Sequence, residues 1–225
     1  MAESGAGPLR ELSVEIPSRA GALKGILGLP PDPRGVVIFA HGSGSSRFSP
    51  RNSFVARVLQ EGGIATLLMD LLTEEEAEDR TQVFDIDLLT ERLLEATAWV
   101  RGHPDLGGIP VGYFGASTGA AAALKAAARE GASIAAVVSR GGRPDLAGDV
   151  LARVVSPTLL IVGGNDEPVV ELNEEANNLL PGVSELVIVP GATHLFEEPG
   201  ALEEVARLAR DWFLRYMPQR MRKAA

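Results

Sequence analysis

Two hydrophobic patterns alternate along most of this chain. Short, continuously apolar runs occupy 35–40, 65–70, 109–114, 134–138, 158–162 and 186–189, as strands buried on both faces do. Between them lie segments with helical spacing or strong helix formers: 52–60, 88–100, 120–130, 170–180 and 199–216, with a shorter helix over 146–154. Gly62-Gly63 ends the first of these, and Pro199 suits the first turn of the last. The start of the chain differs. Residues 12–16 alternate apolar and polar, and 22–29 reads as a partner strand stopped by Pro30-Pro31-Asp32-Pro33, so an antiparallel hairpin is expected. Strand–helix repeats after a hairpin predict an α/β domain: eight strands, mostly parallel, helices on both faces, right-handed crossovers. No inserted cap domain fits between the strand ending at Val138 and the one starting at Thr158.

Composition narrows the class. The 225 residues suit a single domain, 1–225, with 1–10 expected as a flexible N-terminus. A net charge of −9 argues against nucleic acid or an anionic membrane surface as partner. The absence of cysteine excludes thiol chemistry, disulfides and thiolate metal sites. The first residues lack the basic start and apolar run of a signal peptide, and no apolar stretch is long enough to span a bilayer, so a cytoplasmic location is expected. The acidic run 74–79 reads as a solvated loop.

The chemistry centres on Gly115-Ala116-Ser117-Thr118-Gly119, between a strand and an alanine-rich helix. A serine on a sharp strand-to-helix turn, flanked by glycines that relieve clashes with strand and helix, is a nucleophile elbow. In open α/β sheets the functional loops lie at the carboxyl ends of the strands. Of the three histidines, His103 falls at the opposite edge, and His41 precedes the serine. His194 follows the last strand, in the order serine, acid, histidine. Asp166, after the strand 158–162, is the candidate acid, with Glu167 and Asp145 as rivals. The oxyanion donors are expected to be the backbone amides of Thr118 and of Ser43, in the small-residue loop 41–46. His41 is expected to brace that loop. Arg47, Arg51, Arg140 and Arg143 follow strands on the same edge. They could form a positive rim for an anionic substrate, although pairing with local carboxylates is the favoured reading.

The elbow, the His41-Gly42-Ser43-Gly44 loop, residues 163–169 (Gly-Gly-Asn-Asp-Glu-Pro-Val) and residues 190–196 (Pro-Gly-Ala-Thr-His-Leu-Phe) resemble the dienelactone hydrolase-like branch of the α/β-hydrolases. The likeness runs from about Leu12 to about Met217, and is strongest to small hydrolases that also occur fused to phosphoribosyltransferase domains. No such second domain is expected in these residues. The resemblance implies the α/β-hydrolase fold and Ser117, Asp166 and His194 as the triad. Dienelactone hydrolases themselves use a cysteine nucleophile, which this chain lacks, so a serine esterase is favoured over a dienelactone substrate. The expected activity is cleavage of small carboxylic esters through an acyl-enzyme, with no metal or organic cofactor. An acyltransferase, a peptidase or a non-catalytic ligand-binding member would share the same residues. The last helix and the neighbouring sheet edge could form a homodimer.

Overall fold

The computed structural model describes residues 8–218. Eight strands, β1 (Arg10–Ser18), β2 (Gly21–Leu29), β3 (Val36–Ala40), β4 (Ala65–Met69), β5 (Val111–Ala116), β6 (Ile134–Arg140), β7 (Thr158–Gly163) and β8 (Ser184–Val189), form one sheet. Their order is β1-β2-β4-β3-β5-β6-β7-β8. β1 and β2 pair antiparallel, as do β2 and β4, and every later pair is parallel. This is the α/β-hydrolase architecture.

The helices are α1 (Pro50–Glu61), α2 (Glu74–Glu78), α3 (Arg80–Val83), α4 (Ile86–Gly102), α5 (Thr118–Glu130), α6 (Glu167–Leu179) and α7 (Ala201–Tyr216). Successive strand residues point to opposite faces, which gives the sheet two cores. Val37, Phe39, Phe114, Val138 and Ile161 pack with α1 and α7. Val36, Ile38, Tyr113, Val137 and Leu160 pack with α4, α5 and α6. Each fully buried side chain of this size contributes roughly 1.5–3 kcal/mol. The alanines of α5 let its backbone lie close to the sheet, and Ala120 to Leu124 are fully buried.

Three expectations are corrected. The acidic run 74–79 is not a loop: 74–78 form α2, opened by a capping box in which Thr73 and Glu76 exchange side-chain and backbone hydrogen bonds. Glu76 turns inward to Arg92, at 2.5 Å. β6 runs two residues further than the apolar pattern, so Ser139 and Arg140 end the strand and are buried. The expected flexible stretch 1–10 falls mainly outside the described residues, while Arg10 opens β1 and pairs with Asp105 at 2.5 Å. Between β6 and β7 stands a kinked 3-10 segment, Pro144–Arg153, and no large cap.

Candidate active site

The carboxyl edge of the sheet collects the chemistry. Ser117 follows β5 at φ 51°, ψ −121°, a left-handed conformation that costs a residue with a Cβ about 1–3 kcal/mol. The strain is locked in by the flanking glycines. A Cβ on Gly115 would stand 2.4 Å from Ala120 Cα, and one on Gly119 2.2 Å from the Ala40 carbonyl oxygen. Neither position tolerates a side chain, so strand and helix meet at contact distance and the serine is left at the corner.

His194 and Asp166 approach from the β7–β8 side. His194 Nδ1 lies 2.7 Å from Asp166 Oδ2. The His194 side chain is 39% exposed and that of Asp166 17%. A carboxylate on Nδ1 fixes the tautomer that leaves Nε2 as a proton acceptor. Ser117 Oγ has no hydrogen-bond partner among the described residues. The rival acids stand elsewhere. Asp145 is held by Arg143 in two hydrogen bonds, and Glu167 opens α6 in an exposed position.

Several residues that fasten this side were not evident in the sequence. The Asn165 side chain donates to the Gly191 carbonyl at 2.9 Å, and its amide donates to the Ala192 carbonyl at 2.9 Å. The Thr193 amide donates to Glu198 at 3.1 Å. The acid loop and the histidine loop are thus joined, and a Cβ on Gly141 would lie 3.5 Å from the His194 ring. Asn173, fully buried, donates to the Gly142 carbonyl at 3.0 Å and steadies the loop after β6.

On the opposite side the 41–46 loop passes directly against the serine: a Cβ on Gly42 would be 3.0 Å from Ser117 Cβ. The Ser43 amide points at Thr118 Oγ1, 3.0 Å away, tying the loop to the first residue of α5. For Ser43 to donate to a substrate oxygen, that hydrogen bond must be shared or released. His41 braces the loop: Nδ1 donates to the Gly42 carbonyl at 2.9 Å, and Nε2 accepts from the Leu71 amide at 3.1 Å. Burial lowers its pKa, against smaller opposing pulls from the Gly42 carbonyl and the Asp70 carboxylate. Asp70 anchors the same loop by accepting from the Arg47 amide at 2.7 Å and pairing with its guanidinium.

The remaining arginines separate into two kinds. Arg47 and Arg143 are each held by an aspartate, and Arg51 reaches Glu197 at 3.3 Å. Arg140 is 6% exposed, donates to Asn52 Oδ1 at 3.1 Å, and among the described residues has no carboxylate partner. Its Nε is buried without a partner. Burial, and then the charge of Arg51, push its pKa down to about 10. His103 caps α4, with its ring 5.1 Å from that of Trp99, far from this edge. Among the described residues no group of three His, Asp or Glu side chains is placed to hold a metal ion, and no helix is long and apolar enough to cross a membrane.

No family model matches the chain. A crystal structure of a dienelactone hydrolase from Anabaena variabilis is 55% identical, covers 93% of this chain and 99% of its own, and superposes with a TM-score of 0.90. Est1E from Butyrivibrio proteoclasticus shares the fold at 19% identity, with 91% of this chain and 98% of its own covered and a TM-score of 0.79. A Mycobacterium tuberculosis protein named as a phosphoribosyl transferase is 59% identical over 210 residues, 93% of this chain. The chain spans about half of that relative, 47% of its length. With near-complete mutual coverage of the Anabaena protein at this identity, the chain belongs to the dienelactone hydrolase family of α/β-hydrolases.

Proposed function

We propose that the chain hydrolyses carboxylic esters through a serine acyl-enzyme. The observation that carries this reading is the 2.7 Å contact between His194 Nδ1 and Asp166, on the sheet edge where Ser117 is held in a strained turn. His194 takes the Ser117 proton as Oγ attacks the ester carbonyl. The carbonyl oxygen becomes an oxyanion held by the Ser43 and Thr118 amides, at the N-terminus of α5, where the helix dipole favours negative charge. Collapse breaks the bond to the alcohol, which leaves with the proton from His194. Water, deprotonated by the same imidazole, then cleaves the acyl-enzyme and regenerates Ser117. Asp166 holds the tautomer and stabilises the imidazolium between these steps.

The test is labelling by a fluorophosphonate probe, mapped by peptide mass, followed by a panel of p-nitrophenyl esters. The parent should be labelled at Ser117 and cleave the esters. Ser117→Ala should lose the label and about 10⁶-fold in kcat, as removal of a triad nucleophile does elsewhere. Equal turnover by parent and variant would place the chemistry at another residue.

A further inference from the structure

The molecule has a cavity of about 490 Å³ beside the oxyanion loop, within the range of roughly 300–1,000 Å³ usual for small-molecule sites. One wall is the loop itself, with His41, Gly42 and Ser43. The others come from the chain after β4, from α2 and α3, and from the start of α4. Leu71, Leu72, Ala77, Val83, Phe84 and Leu89 make its surface mainly apolar. Phe84 closes α3 and is 50% exposed. An uncovered aromatic on the wall of an open cavity marks a contact surface.

Sheet order decides which part of a substrate this cavity receives. β3 and β4 lie on one side of β5, and β6, β7 and β8 on the other. Asp166 and His194 follow β7 and β8, whereas the cavity stands over the ends of β3 and β4. The leaving alcohol takes its proton from His194, so it departs on the β6–β8 side. Ser117 Oγ and the oxyanion occupy two further positions on the tetrahedral carbon. The fourth substituent, the acyl chain, then points past Ser43 toward the cavity.

We infer that this cavity is the acyl-binding subsite, and that the preferred substrates are esters of bulky apolar acids, medium-chain or aromatic, instead of acetates. The inference rests on the ester hydrolase reading. Each methylene buried there should raise kcat/KM by about fourfold at most.

The experiment compares two substrate series on the parent, Ala77→Trp and Phe84→Ala. One series varies the acid in p-nitrophenyl acetate, butyrate, hexanoate and benzoate. The other varies the alcohol of hexanoate esters. Ala77 is exposed, so a tryptophan there fills the cavity with little risk to folding. In the parent, hexanoate and benzoate should exceed acetate in kcat/KM by at least about tenfold. Ala77→Trp should lower the hexanoate-to-acetate ratio by tenfold or more, Phe84→Ala should lower it less, and neither should change the ranking of alcohols. A flat acyl series in a parent that cleaves esters and labels at Ser117 would overturn the subsite and leave the hydrolase reading intact. So would an Ala77→Trp effect confined to the alcohol series. A parent that neither labels nor cleaves any ester would overturn both.

Discussion

The two flanks of Ser117 each offer a histidine at a strand's carboxyl end and one buried arginine, and they use them in opposite ways. On the β3–β4 flank both His41 nitrogens are occupied by the backbone, and burial lowers its pKa. On the β7–β8 flank one His194 nitrogen meets a carboxylate, and its ring is over a third exposed. The arginines reverse the pattern. Arg92, beneath the cavity wall, meets Glu76 at 2.5 Å and Glu95 at 3.2 Å. Arg140, on the side of His194, has an amide oxygen as its hydrogen-bond acceptor. Residue type and strand-end position are therefore not enough to assign a role. What each polar atom already touches decides whether a group supports a loop or stays available for chemistry.

The largest expected effect tests the histidine contrast. Asp166→Asn should keep the fold but present His194 with a donor where it needs an acceptor, lowering kcat by about 10⁴-fold in steady-state ester hydrolysis. A loss below tenfold would remove Asp166 from the reaction. The arginine contrast comes next. Arg92→Met leaves two carboxylates partly buried without their cation, and should cost about 3–5 kcal/mol in urea unfolding. Arg140→Met removes a buried charge that lacks a counter-ion and should leave stability equal or higher. Equal losses would mean that the two environments are energetically alike. The smallest effect belongs to His41. His41→Phe strips both loop hydrogen bonds and should lower kcat by roughly 10- to 100-fold through the Ser43 donor, with KM little changed. Its folded pKa is depressed, so the folded state binds fewer protons than the unfolded one as pH falls below about 6.5. Stability from His41 is complete above that value and declines on acidification toward the lowered pKa. The parent should therefore lose more Tm between pH 7.5 and 5.5 than His41→Phe does.

Much of this was legible because buried parallel strands are apolar without interruption. Residues 36–40, 65–69 and 158–162 need no partner to be recognised. The elbow was legible for a steric reason, since Gly115 and Gly119 sit where a Cβ would meet backbone. The ends of elements were harder. Apolar character stops at Val138, but β6 continues through Ser139 and Arg140, because backbone pairing with β7 does not depend on side-chain polarity. α2 was hidden by its charge. Its signal, Thr73 three residues before Glu76, was present in a segment too short for helical periodicity to register. The ties through Asn165, Glu198 and Asn173 carry no pattern at all. They depend on loops from distant parts of the chain meeting at one edge.

The capping box and Arg92 together have a consequence for how such a chain can diversify. α2 is joined to the rest of the molecule by Glu76 to Arg92 of α4 and by Glu74 to Lys24 of β2, and neither contact involves Ala77, which lines the cavity. The side chains of Ala77, Val83 and Phe84 can therefore change size without touching the clamp, the elbow or the histidine loop. A lineage could alter the acids it accepts by substitutions at these positions while inheriting its reaction chemistry unaltered.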